Sequence, residues 1–170
     1  MAEHKMRPMK ESDLKQVLKW RNHPDIRKCM YSNHKIETDE HKEWFIKSCE
    51  DPAITLLIYQ QGKKACGFVS IKQTSFPKVA KWGFYVAPNA QKGSGFELGK
   101  LAIKYAFEQL GFHKLCGEAL SFNEKSIVFH QRLGFVQEGY IKEHHFDGNE
   151  FQDIVLFGLL SNESQVSKGL

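Results

Sequence analysis

Trp82-Gly83-Phe84-Tyr85-Val86-Ala87-Pro88-Asn89-Ala90-Gln91-Lys92-Gly93-Ser94-Gly95-Phe96 is the stretch on which the fold turns. Its first part continues a strand pattern that begins at Val79 and that Pro88 closes. Its last part opens a helix from about Gly95 to Leu110, with Leu98, Leu101, Ala102, Tyr105 and Phe107 as apolar positions and Gly111 as the stop. The loop Gln91-Lys92-Gly93-Ser94-Gly95 therefore joins a strand to a helix. Its glycines let successive backbone N–H groups converge on an anion, and the helix adds the positive end of its dipole. Lys92 contributes a charge and Ser94 a hydroxyl, which together suit a pyrophosphate. A helix start that merely tolerates glycine reads the same way, so the loop alone decides nothing. The G-K-[ST] ending of a P-loop is missing, and so is G-x-G-x-x-G.

Working outward, Lys5–Met9 reads as a short strand. Ser12 reads as an N-cap, followed by Leu14, Val17, Leu18 and Trp20 at helical spacing up to Pro24. Thr38, with Asp39 and Glu40 in its first turn, opens a second helix whose apolar face is Trp44, Phe45 and Cys49. Ile54–Tyr59, Ala65–Ile71 and Val79–Val86 read as three strands. Leu115–Leu120 is a further strand, and Asn123 caps a helix that Gly134 ends. Phe135–Lys142 and Phe151–Leu159 flank the turn Asp147-Gly148-Asn149. This order describes an α/β chain with a mixed, largely antiparallel sheet. Its strand–glycine–helix unit lies mid-chain, which argues against a dinucleotide-binding Rossmann fold.

The 170 residues suffice for one domain, and a 41% hydrophobic content can build its core. The net charge of +4 is spread among interleaved acids, so it is no nucleic-acid footprint. It does suit a phosphorylated ligand. Cys29, Cys49, Cys66 and Cys116 form no C-x-x-C pair, and no H-E-x-x-H occurs, so neither a disulfide framework nor a metal site is expected. The polar start, Met1–Lys10, carries no apolar signal core, and no run is long enough to span a membrane. The expectation is a cytoplasmic protein without nucleic-acid or membrane partners. A late edge strand is the candidate surface for pairing two copies.

Asn123-Glu124-Lys125-Ser126-Ile127-Val128-Phe129-His130-Gln131-Arg132-Leu133-Gly134-Phe135 opens on an Asn, carries an aromatic late in its helix and closes on Gly-Phe. Behind the Gln91–Gly95 loop, this segment resembles the last motif of the GNAT acetyltransferase superfamily, and the resemblance covers Met6 to Leu160. It implies an α/β (α+β) GNAT fold with a central mixed, mostly antiparallel, twisted sheet of about seven strands flanked by helices. Residues 1–160 would form one acetyltransferase domain and 161–170 a polar, frayed tail. It also implies acetyl-CoA as cosubstrate, no metal, and direct acetyl transfer to a primary amine. Two features depart from the family pattern. The usual Q/R-x-x-G-x-G/A loop has Gln91 one residue too close to Gly93, and the Tyr many members carry after Phe129 is His130.

Trp20-Arg21-Asn22-His23-Pro24 followed by Met30-Tyr31-Ser32 is similar to one branch of that superfamily. This branch acetylates the 4-amino group of a UDP-linked amino-deoxy sugar in pseudaminic acid biosynthesis. Gly67-Phe68-Val69-Ser70-Ile71, Gly83-Phe84-Tyr85 and the placement of Glu118 twelve positions before His130 belong to the same resemblance. By it, Tyr85, Val86, Lys92, Gly93, Ser94, Gly95, Phe96, Asn123, Ser126 and Phe129 would touch acetyl-CoA. Arg21, Met30, Tyr31, His41, Ser70, Lys72 and Tyr85 would touch the acceptor.

Glu118 is the candidate base: in the apolar strand Leu115–Leu120 a partly desolvated carboxylate has a raised pKa. A solvent-facing carboxylate paired with a lysine is its bland alternative. His130 is the candidate acid in place of the family's Tyr, and a helix histidine packing without a proton role is its alternative. Arg21 suits a diphosphate, and Tyr31 or Trp44 could stack on uracil. Arg21, Arg27, Lys28 and Lys35 in the N-terminal half favour an anionic acceptor over a polyamine. Two other readings remain open: acetylation of a ribosomal-protein N-terminus or a polyamine such as spermidine, and a non-catalytic CoA-binding module. Lys81 and Trp82 alternate as in any half-buried strand and are not assigned as ligands.

Overall fold

The computed structural model describes residues 3–165. Seven strands form one sheet in the order β1-β2-β3-β4-β5-β7-β6. In chain order they are β1 His4–Pro8, β2 Ile54–Gln61, β3 Lys64–Gln73, β4 Val79–Val86, β5 Lys114–Leu120, β6 Val136–Phe146 and β7 Phe151–Leu160. The helices are α1 Leu14–Arg21, α2 Pro24–Arg27, α3 Thr38–Glu50, α4 Ser94–Lys104 and α5 Glu124–Arg132. All strand pairs are antiparallel except β4 with β5. This is the GNAT fold, and the mixed sheet follows because α4 carries the chain from the end of β4 back to the start of β5.

β2 reads as a nearly continuous apolar run because both its faces are buried. Leu57 and Tyr59 face a core shared with α4 and α5, together with Val69, Ile71, Leu98, Ile103, Leu115 and Phe157. Leu56 and Ile58 face a second core with Val17, Trp20, Phe68 and Tyr85, on the side that carries α1 to α3. The alternation along one strand thus divides the molecule into two layers around the sheet.

Local chemistry adjusts several expected boundaries. Ser12 is not the cap of α1; it lies in a single 3-10 turn, Glu11–Asp13. The Asp13 carboxylate organises that turn, accepting from the Lys10 N–H and, through both oxygens at 2.7 Å, from Arg7. Pro24 does end α1, but it also starts the four-residue helix α2 as its first residue, with the His23 side chain as cap. The buried stripe of α3 is His41, Phe45 and Ser48, not Trp44, Phe45 and Cys49. Two of those three positions are polar, so hydrophobicity alone rotates the face. α4 continues into one wider turn, Tyr105–Gln109, before Gly111 at φ +69.

Among the described residues no helix is long and apolar enough to cross a membrane. The late edge strand is β6, which exposes Val136, Tyr140 and Phe146. At the C-terminus, Ser164 is fully buried and its N–H bonds to Leu160, so the expected tail is packed at least to that point. The rest of it, 166–170, lies outside the described residues.

Candidate active site

β4 and β5 pair only through Val79, Ala80 and Lys81 with Lys114, Leu115 and Cys116. Both strands continue, to Val86 and to Leu120, without further pairing to each other. The sheet therefore opens into a wedge at its centre, and backbone groups on the β5-facing edge of Trp82–Val86 are left without a strand partner. The wedge belongs to a cleft of about 1470 Å³. Ligand pockets commonly enclose about 300–1,000 Å³, so this one has room for two substrates meeting at the wedge. A Cβ built on Gly83 meets nothing within 4 Å, which leaves the floor of the wedge bare.

On the α4–α5 side, the cleft is lined by Val86, Gly95, Asn123, Ser126 and Phe129. Asn123 Oδ1 accepts from the Ser126 N–H at 3.2 Å, so the expected cap is made. Gly95 sits between Val86 and Phe129, where an added Cβ would touch both at 3.5 and 3.7 Å. Gly93 takes φ +92, a left-handed turn that a side chain resists. Among the described residues no acceptor takes the N–H groups of Lys92, Gly93 or Gly95. Three free amides at the start of an eleven-residue helix, beside an exposed lysine, are a fitting cradle for the diphosphate of CoA.

Two loop expectations change. Gln91 turns away, its Oε1 accepting from Gln61 Nε2 at 2.9 Å. Ser94 is 3% exposed, its N–H is given to Gln91 O, and its hydroxyl is buried beside Tyr59 without a well-formed hydrogen bond. The hydroxyl thus faces the core instead of an anion, because helical geometry turns the side chain inward once Gly93 has set the entry. Ser94→Ala should leave CoA affinity within about twofold and not lower the melting temperature, since an unsatisfied buried hydroxyl is removed. Titration calorimetry and a melt check this. Phe96 is half-buried under Arg132 and Lys100, outside the cleft lining, as are Lys92 and Gly93.

His130 is not placed to act as an acid. It is 1% exposed, lies outside the cleft lining and stacks on Phe157 at 4.7 Å. Its Nε2 accepts from Trp82 Nε1–H at 3.2 Å, and its Nδ1 lies 2.8 Å from Ser126 O. That pairing fixes the neutral tautomer with Nδ1–H donating. Burial pushes its pKa down, against a smaller upward pull from the Ser126 carbonyl. With both nitrogens engaged and the charged form disfavoured, His130 ties α5 to β4 and β5 and has no proton to offer the cleft.

On the opposite side of the sheet, Arg21, Met30, Tyr31, His41, Ser70, Tyr85 and Glu118 all line the cleft. Cross-strand register explains part of the grouping: Phe68 lies opposite Tyr85 and Ser70 opposite Gly83, so their side chains share a face. Lys72 lies opposite Lys81 on that face but outside the lining, and Arg27 and Lys35 are also outside it. Arg21 is 9% exposed; its Nη2 donates to Ser32 O at 2.6 Å, while Nη1 is buried without a partner. Desolvation lowers its pKa, partly offset by Tyr85 and Glu40. His41 stacks on Trp44 at 5.0 Å, and burial lowers its pKa too.

A strap, residues 28–37, closes this side. Asn22 holds it by paired bonds with the Ile36 backbone, each 2.8 Å. Tyr31 reaches across to donate to Glu118 Oε2 at 2.8 Å and lies against His145 at 5.0 Å. Glu118 Oε1 is ion-paired with Lys81 Nζ. Burial raises the Glu118 pKa, but the bonds from Lys81 and Tyr31 and the charges of Lys81 and His144 outweigh it, so the net shift is downward. The expected raised pKa is thereby reversed: Glu118 is a firmly ionised carboxylate. Lys81 and Trp82, left unassigned as ligands on their strand alternation, both line the cleft, as do Cys116 and Phe84. The only sequence signal for Lys81 was its place on the strand that leads to the loop.

Three comparisons with known proteins bear on this geometry. A family model described as an acetyltransferase (GNAT) domain matches residues 5–136. The acetyltransferase PseH of Campylobacter jejuni (strain 81-176) is 29% identical over 127 residues, covering 75% of this chain and 79% of that protein. The spermidine N(1)-acetyltransferase of Vibrio cholerae is 24% identical over 161 residues, covering 93% of each. A crystal structure of the Vibrio cholerae spermidine N-acetyltransferase with CoA and spermine superposes with a TM-score of 0.87 at 24% identity, over 94% of this chain and 96% of that one.

Proposed function

The chain belongs to the GNAT acetyltransferase family and is an N-acetyltransferase that uses acetyl-CoA, and from that premise we propose that its acceptor is an anionic amine, the 4-amino group of a UDP-linked amino-deoxy sugar. The observation that carries the reading is Arg21, a cleft residue whose Nη1 is buried with no partner. A desolvated cation held that way calls for an acceptor oxygen, and a diphosphate supplies several in the fork geometry arginine prefers. The carboxylates of the cleft support it from the other direction. Asp25 is bonded to Lys28 at 2.9 Å, Glu40 to His34 at 2.9 Å and Glu118 to Lys81. Among the described residues Glu124 is the one cleft carboxylate without such a partner. A polyamine site needs several free carboxylates.

When bound, acetyl-CoA would supply the activated thioester; the amine's attack would displace the CoA thiolate, and the proton the amine gives up to water would balance the one the thiolate takes from water. The chain's own residues do the rest. The free amides of Lys92, Gly93 and Gly95 hold the diphosphate, and Val86 and Phe129 wall the slot beside Gly95. Unpaired N–H groups on the β5-facing edge of β4 face the wedge, where charge develops on the carbonyl oxygen. Glu118, ionised and held by Tyr31 and Lys81, offers a remaining lone pair to the acceptor amine at the wedge. A weak base by itself, it passes the proton on through water. Trp44 and Tyr31, both partly exposed in the cleft, are the surfaces on which uracil stacks.

The greater coverage by the spermidine acetyltransferase favours a second reading, a polyamine acceptor. Titration of UDP alone into the protein separates the two. Saturable UDP binding that Arg21→Ala abolishes is the expected result. Spermidine binding with no UDP binding contradicts the nucleotide-sugar reading.

A further inference from the structure

We infer that Lys81 selects the charge of the acceptor: its ammonium masks Glu118 and so turns polycations away from the wedge. This rests on the reading of the acceptor as an anionic amine. Lys81 stands on β4 at the last rung paired with β5, beside Cys116, where the wedge begins. Its Nζ is ion-paired with Glu118 Oε1, and Tyr31 occupies Oε2. The charged and titratable groups facing Glu118 are Lys81 from β4, Tyr31 from the strap, His144 from β6 and Cys116 on its own strand; its β7 neighbour is Leu156. Both carboxylate oxygens are therefore engaged before any acceptor arrives.

Packing does not account for Lys81. Its side chain is 57% exposed, and it lies directly opposite Lys72, a like charge on the same face. Opposed like charges on neighbouring strands are unfavourable, so what holds the lysine inward is its pair with Glu118. A single amine attached to a nucleotide diphosphate meets Arg21 first and needs only one hydrogen-bond site at the wedge. A polyamine brings two or more ammonium groups to a surface where Lys81 and Lys72 repel them and Glu118 is already neutralised. Removing the Lys81 charge uncovers Glu118 for a second cation.

The test uses wild type, Lys81→Met, which keeps the aliphatic stem, and Lys81→Arg, which keeps the charge. Spermidine affinity is measured by calorimetry, and kcat/KM is compared for the UDP-amino sugar and for spermidine. In Lys81→Met, spermidine should bind about tenfold more tightly, and the sugar-to-spermidine ratio of kcat/KM should fall by at least about that factor. Lys81→Arg, which keeps the charge, should keep the weak spermidine affinity of the wild type. Unchanged spermidine affinity in Lys81→Met overturns the inference. Where Lys81→Met lowers the melting temperature, Lys81→Gln is scored by the same criteria. A wild type inert on the UDP-amino sugar contradicts the functional reading alone. The spermidine affinity of Lys81→Met relative to wild type still decides the role of Lys81.

Discussion

Arg21→Ala should lower kcat/KM for the nucleotide-linked amine by about a hundredfold or more while leaving CoA affinity within about twofold. The guanidinium is buried, so each charge-assisted bond to a phosphate oxygen acts with little solvent screening. Two such bonds at about 1.5–3 kcal/mol each set the size of the loss. CoA is spared because its expected contacts come from α4, α5 and the end of β4, across the sheet from Arg21. Arg21→Lys should recover only part of the activity, since an ammonium cannot offer the planar fork. Arg21 Nη2 also bonds Ser32 O, so the alanine variant loosens the strap, and a melting curve must accompany the kinetics. Unchanged kcat/KM in a folded Arg21→Ala removes the anion site.

Gly117→Ala should destabilise the fold by about 3 kcal/mol, seen as a fall in melting temperature of roughly 6–12 °C. A Cβ at Gly117 would lie 2.3 Å from His130 Nε2 and 2.9 Å from Trp82 Nε1. Those are the two atoms of the buried hydrogen bond that ties α5 to β4. His130 has nowhere to retreat, because its ring is stacked on Phe157, the residue paired with Gly117 across β5 and β7. The methyl group therefore both overpacks the site and separates a buried donor from its acceptor. Turnover should fall as well, because α5 and its cap carry Asn123, Ser126 and Phe129 of the cleft wall. A melting temperature unchanged within about 2 °C contradicts the role assigned to the Trp82–His130–Phe157 cluster.

His130 marks where sequence reading runs out. Its position at the end of a capped helix was legible, and so were the Asn123 cap, the Gly134 stop and the strand on either side. Its burial was not, because the partner that engages Nε2 sits 48 residues earlier, on β4. Glu118 failed in the same way. Desolvation was visible in the apolar strand around it, but the stronger opposing bonds come from Lys81 and from Tyr31, 87 residues away. The glycine loop was legible as a strand–helix junction, since Gly93 needs no partner to adopt its left-handed turn. The orientation of Ser94 was not, because it depends on how α4 docks on the core. The cleft lining on the α1–α3 side was largely legible through Arg21, Met30, Tyr31, His41, Ser70 and Tyr85, which the fold brings together. The four-residue helix α2 was missed because a start on proline looks the same in sequence as a stop.

The wedge is proposed to deliver acetyl groups to an amine whose anionic half is held by Arg21. Thiol release from acetyl-CoA, measured with a UDP-linked 4-amino sugar and with spermidine at equal concentrations, tests it most directly. Turnover of the nucleotide sugar should exceed that of spermidine by at least about tenfold, with one acetyl group added per sugar. Turnover of spermidine with none of the nucleotide sugar would contradict it.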